Sequence, residues 1–383
     1  MDELKFPIYL DYNATTPVHP AVADVMRPYL GGHFGNPSSV HVLGIETRAA
    51  VENARNQVAG LLGCTANEIV FTSGGTESDN YAIKGYARAN KKSGNHIITS
   101  CIEHPAVLNV YRYLEENGFN VTYLPVDQFG MVKADDFEQS VCDKTIFVSI
   151  MHVNNEVGTI QPVDEISAIA HQHEIAVHVD AAQSIGKIPC NVDALDADML
   201  TVAGHKLYAP KGVGALYIRN NISLEPLLHG AGHEHGHRAS TENVMGIVGL
   251  GKACELINRA DKNKTAVMAR LRDQLQQDLE SGLSDTRING HPEKRLPNTL
   301  SISFKGIRAN ELVQELSETV AISAGAACHG NDVKISHVLK AMQVPEEWAM
   351  GTVRFSVGQM TTEEEIKKAA ELVTEAVRRL RKK

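Results

Sequence analysis

The feature that most constrains this chain is a regular alternation, between Glu68 and Ile218, of short β-rich runs with stretches of helical pattern. The runs read EIVFTS, HIITS, TIFVSIMHV, IAVHVD, MLTVA and GALYI, and helices are predicted over 77–91, 104–118 and 163–173. Such alternation is the mark of an α/β fold in which helices wrap a mainly parallel sheet. IAVHV is almost continuously apolar, as a strand covered on both faces must be. The pattern also says where chemistry should lie, because ligands in such sheets gather beyond the carboxyl ends of the strands.

At 383 residues the chain exceeds one ordinary core, so two packed domains are expected. Ahead of the sheet, Ser38 or Ser39 is placed to cap a helix whose Val51, Ala54, Val58, Leu61 and Leu62 recur at helical spacing, and Gly63 stops it. Past residue 250 come a long helix, strands around TLSISF and AISAG, and a last helix opened by Thr362 with Glu365 three positions on. Ile366, Ala370, Val373, Val377 and Leu380 form its buried stripe. The expected division is a large domain over 16–250 and a smaller α/β domain made of 1–15 and 251–383.

A hydrophobic content of 43% with 22% charged residues suits a soluble enzyme, and no apolar run approaches the ~20 residues a membrane span needs. The acidic start shows no targeting segment, so a cytoplasmic location is expected. A net charge of -9 offers no footprint for nucleic acid, and the RRLRKK tail reads as a solvated helix end. The six cysteines form no CxxC pair, which argues against both a disulfide framework and a zinc site.

Several residues carry chemistry on local grounds. Lys206 follows the MLTVA strand among small residues and is placed to form a Schiff base, with Lys211 as its competitor. Asp180, at the end of IAVHVD, reads either as a helix-cap acid or as the partner of a cofactor's pyridine nitrogen, and Gln183 lies three residues on. FTSGGTES joins strand to helix through two glycines and Thr76, an arrangement that suits a phosphate or a plain tight turn. His104 is placed either to stack on a planar ring or to cap its helix. His229, His233, His235 and His237 are dense enough to raise a metal site, but an active-site rim is the favoured reading, so no metal is assigned.

Taken in order, YLDYNATTPV, GNPSSVH, FTSGGTESDN, EHPAV, VNNEVGTIQPV, HVDAAQSIGK, GHKLYAPKGVGALYIR, STENV, SAGAAC and RFSVGQMTTEEE resemble the signatures of the NifS/IscS-type cysteine desulfurases. That family lies within the class V aminotransferase group of fold-type I pyridoxal-phosphate enzymes. The resemblance spans 8–366. It implies a mainly parallel seven-stranded sheet, a pyridoxal 5'-phosphate cofactor and a homodimer. It also implies that Lys206 holds the cofactor, Asp180 pairs with the pyridine nitrogen, Gln183 contacts the phenolic oxygen and His104 stacks on the ring. Gly75, Thr76 and His205 would meet the phosphate, with Thr241 arriving from the second subunit. Asn155 and Arg354 would clamp the substrate carboxylate, and Asn13 would line the same pocket. Cys328, on a loop, would take the sulfur of L-cysteine as a persulfide and leave L-alanine, a protein acceptor following.

Three positions depart from that pattern. Ala203 stands where a phosphate-binding serine is usual, and Ser240 where the turn before Thr241 usually has glycine. His329 follows Cys328, and such a GAACH loop also resembles that of selenocysteine lyases, which release selenium from L-selenocysteine. A selenocysteine lyase is therefore the alternative. Another class V reaction, or a sulfur-relay scaffold without catalysis, is more remote.

Overall fold

The computed structural model describes residues 7–260, 263–329 and 332–382, without the side chains of 326–329 and 332–334. Seven strands form the central sheet in the order Ile69–Thr72, Gly214–Ile218, Met199–Ala203, Ala176–Asp180, Thr145–Met151, His96–Ser100 and Asn120–Leu124. Gly214–Ile218 runs antiparallel to both neighbours, and every other pairing is parallel.

Strand alternation feeds a core on each face of this sheet. Phe71, Ile98, Val148, Val177, Val179, Leu200 and Val202 pack with residues of the helices Val42–Leu62, Val163–Gln172 and Val244–Asn258. Val70, Ile97, Phe147, Ala176, Met199 and Leu216 pack with those of Gly75–Ala89 and Pro105–Glu116. A separate core joins Leu10 to the helices Asn263–Gly282 and Glu363–Leu380 and to an antiparallel sheet in the order Ser323–Ala324, Thr352–Ser356, Thr299–Phe304, Thr286–Asn289. The N-terminal segment joins this part by a parallel pairing of Ile8–Tyr9 with Val320–Ala321. No helix among the described residues is long and apolar enough to cross a membrane.

Local expectations fare unevenly. Thr362 and Glu365 make the reciprocal capping box, and Gly63 ends its helix at φ 78°. The helix over Val42–Leu62 is capped by His41, whose Nδ1 accepts from the Gly44 amide at 3.4 Å, and not by Ser38 or Ser39. Those serines lie in the turn folded over Gly44, where a Cβ would stand 2.4 Å from the Ser39 carbonyl oxygen. Cys328 was expected on a loop. Its backbone lies instead in a hairpin of Ala326–His329 with Asp332–Ile335, paired with Val333, and its side chain lies outside the described residues.

Candidate active site

Beyond the carboxyl ends of the parallel strands lies a cavity of about 680 Å³. Ser73 to Thr76 reach it from Ile69–Thr72, His104 from His96–Ser100, and Asn155 from Thr145–Met151. Asp180 and Gln183 come from Ala176–Asp180, and His205 and Lys206 from Met199–Ala203. Asn13 and Arg354 close it from the smaller core. Every residue assigned to cofactor or substrate lines this cavity except Thr241, which is exposed elsewhere.

The two candidate lysines separate. Lys211 is exposed at the rim, whereas Lys206 donates to the carbonyl oxygens of Asn13 and, at 2.9 Å, of Ala14. Burial, followed by the charge of Arg354, pushes the Lys206 amine down to about 8, within reach of a nucleophilic form. Asp180 accepts the Ala182 amide at 2.9 Å; burial pushes its carboxyl up, although that bond, His104 and Lys206 oppose the shift. A buried carboxyl in this condition lacks a full positive partner.

Two further buried acids, neither singled out from the sequence, surround this end. Asp79 lines the cavity with Oδ1 unpartnered, 3.9 Å from Nε2 of His178, and burial and Asp180 raise its carboxyl. Burial holds His178 neutral, at about 3. Glu103, next to His104, accepts from the Ser100 hydroxyl at 2.5 Å and the Met151 amide at 3.1 Å, and burial lifts it to about 8. His104 caps the helix Pro105–Glu116 through Nδ1, and burial lowers it, so its ring is neutral while it lines the cavity.

At the other end, Gly74, at φ 151°, leads into the helix Gly75–Ala89, whose first residues line the cavity. Helix starts present unpaired amides and suit anions. Burial, then Lys206 and Lys211, push His205 down to about 4, and its Nδ1 lies 3.2 Å from the Thr15 hydroxyl. The neighbouring Glu77 is held by Arg238 at 2.8 Å, which ties the segment before Thr241 to this helix.

On the substrate side, Arg354 donates to Asp11 Oδ1 at 2.8 Å, Ser323 Oγ at 3.0 Å and the Asn155 carbonyl at 2.9 Å, while its buried Nε has no partner. Asp11 was not anticipated. Asn13 lines the cavity, but its carboxamide is committed to Thr299 at 2.8 Å and Asn298 at 3.1 Å. Its contribution to the site is its backbone carbonyl.

The histidine-rich segment is pinned by Glu234, which accepts from the two terminal Arg55 guanidinium nitrogens at 2.7 and 2.8 Å and from the Phe71 amide at 2.8 Å. His237 Nδ1 lies 3.2 Å from the Tyr81 hydroxyl. Among the described residues no group of three or more His, Cys, Asp or Glu is arranged to hold a metal ion.

Comparison with known proteins bears on the whole chain. The model of the family described as aminotransferase class-V matches residues 8–369. The cysteine desulfurase IscS of Dictyoglomus turgidum is 46% identical over 379 residues, covering 99% of this chain and 96% of that protein. A solved NifS-like protein superposes with a TM-score of 0.90 at 41% identity, covering 98% of this chain and 100% of the other. A solved SspA in complex with cysteine gives 0.80 at 37% identity, covering 92% and 99%.

Proposed function

The chain belongs to the aminotransferase class-V family, and from that premise we propose that it is a pyridoxal-phosphate-dependent cysteine desulfurase that converts L-cysteine to L-alanine. The observation that carries the reading is one cavity in which a half-buried lysine pushed down to about 8 lies with a buried carboxyl pushed up. The residues fit the cofactor: Lys206 would bind it, Asp180 would supply the negative partner for a protonated ring nitrogen, and His104 would lie against the ring. Gly75, Thr76 and His205 would receive the phosphate. When bound, pyridoxal phosphate withdraws electrons from the substrate's α-carbon and so makes its α-proton acidic.

The chain's own groups do the rest. Arg354 and Asn155, both on the cavity wall, hold the substrate carboxylate, which orients the amino acid in the cavity. The Lys206 amine takes the α-proton. The Cys328 thiolate attacks the substrate sulfur: an S–S bond forms, the Cβ–S bond breaks with its electron pair left on the substrate carbon skeleton, and one proton added at Cβ and one returned to Cα yield alanine. Cys328 and cysteine thereby become a Cys328 persulfide and alanine, ready for a protein sulfur acceptor.

Exposed Leu30, Phe34, Val40, Val42 and Ile45 form a run of apolar surface that supports a second subunit, and Thr241, exposed on its own chain, would serve that subunit's phosphate. The division at residues 15 and 251, and a cytoplasmic location, belong to the same proposal. The relatives named for cysteine make selenocysteine lyase the less favoured alternative.

The test offers L-cysteine and L-selenocysteine side by side and measures alanine with wild type, Lys206→Ala and Cys328→Ala. Desulfurase activity on cysteine should vanish in both variants. Sulfide release unchanged in Cys328→Ala would refute the persulfide step, and inert cysteine beside processed selenocysteine would refute the substrate.

A further inference from the structure

Lys187 is a buried lysine beside the site, and the reaction above makes no use of it. Among the described residues it forms no ion pair. Its Nζ donates to the Gln183 carbonyl at 2.9 Å and to Gln183 Oε1 at 3.0 Å. Burying an ammonium group costs several kcal/mol unless it is well partnered, yet both partners here are neutral oxygens of one residue.

Gln183 is bound at both ends of its carboxamide. Oε1 takes the Lys187 bond, and Nε2 donates to the Asn13 carbonyl at 2.9 Å, the same oxygen that accepts from Lys206. An amide has two N–H donors, so one N–H of Nε2 remains, and Gln183 lines the cavity. Were the amide reversed, Oε1 would confront the Asn13 carbonyl and the cavity would meet an acceptor. Burial, then the charges of Lys206 and Arg354, push the Lys187 amine down to about 7. A neutral amine still donates to Oε1, so the arrangement survives either protonation state.

We infer that Lys187 is a positioning residue: it locks the Gln183 carboxamide with its free N–H toward the cavity, so that the bound cofactor's phenolic oxygen meets a donor. This inference rests on the proposed cofactor reading.

The test reconstitutes Lys187→Met, Gln183→Ala and the double variant with pyridoxal phosphate. It follows cofactor retention and the pH titration of the visible absorption band. Losing a donor makes the phenolic oxygen more basic, so Gln183→Ala should move the titration to higher pH and weaken retention about tenfold. Lys187→Met should reproduce most of that shift and add nothing in the Gln183→Ala background. Equal effects of Lys187→Met in both backgrounds, or none beside a shifted Gln183→Ala, overturn the inference alone. An unmoved Gln183→Ala overturns the contact with the cofactor and the inference together. Lys187→Arg gives an arm independent of Lys187→Met folding: it keeps a donor on Oε1 and should hold the wild-type titration, and a shift matching Gln183→Ala overturns the inference.

Discussion

Glu234→Ala is the sharpest test of how the scaffold holds the site. Both side chains of the Arg55–Glu234 pair are only 3% exposed, and Glu234 also satisfies the Phe71 amide. Removing one partner of a buried pair costs about 3–5 kcal/mol, because the other charge is left uncompensated. A stranded amide adds about 1–3 kcal/mol. Arg55 retains the Ile69 carbonyl at 2.8 Å and a half-exposed Glu52, which limits the loss. These contributions share one network and do not add, so the expected cost is about 4 kcal/mol. Urea unfolding of the cofactor-free protein, followed by far-ultraviolet circular dichroism, reads it in the transition that melts the large sheet. Arg55→Met with Glu234→Leu removes both charges and should recover more than half of the loss. A Glu234→Ala cost below about 1 kcal/mol, or a double variant no more stable than the single, would refute the account. Phe71 leads directly into Ser73–Thr76, so the single variant should also retain cofactor less well.

Three other outcomes follow from particular positions. Ser240 sits at φ 102°, so Ser240→Gly should raise the thermal midpoint through a gain of about 1 kcal/mol, the relief of strain exceeding the added chain entropy; a lower midpoint would refute the strain. Ala203 lines the cavity, its Cβ 3.3 Å from where a Cβ on Gly75 would stand, and Ala203→Ser should tighten cofactor binding roughly tenfold through one charge-assisted bond, read by equilibrium dialysis. Unchanged binding would mean that the hydroxyl misses the phosphate. His171 is lowered by burial but raised more by its bonds to Asp198 at 3.0 Å and Asp196 at 2.8 Å, so its net shift is upward. A raised folded pKa stabilises fully below the unfolded value near ~6.5 and is lost as pH rises through the folded one. Denaturation midpoints should therefore fall across that window in wild type and stay flatter in Asp198→Asn, and equal slopes in the two proteins would remove His171 from the pH response.

What the residues disclosed in advance follows from where physical signals are local. Strands such as His96–Ser100 and Met199–Ala203 are buried on both faces, so their apolar runs announce them. Asn120–Leu124 escaped reading because it is an edge strand, only its last residue fully buried, and its polar residues mimic a loop. The site shows the same contrast. Lys206, Asp180 and Gly75 stand at strand ends, where topology alone directs attention. Asp79, Glu103, Lys187 and Asp11 lie within the same recognisable motifs, yet their significance comes from the folded surroundings: Asp79 from Asp180, Lys187 from a Gln183 that is itself fixed on Asn13 170 positions away, Asp11 from Arg354 across 343 positions. A charge in a motif reads as solvated until burial is known. Burial is what converts Asp79, Glu103 and Lys187 from incidental acids and bases into the electrostatic setting of the site, since desolvation is the largest influence on each of them, as it is on Lys206 and Asp180. The chemistry of Lys206 is thus set as much by the carbonyls of Asn13 and Ala14 and the Asp11-bound Arg354 as by its own place at the end of a strand.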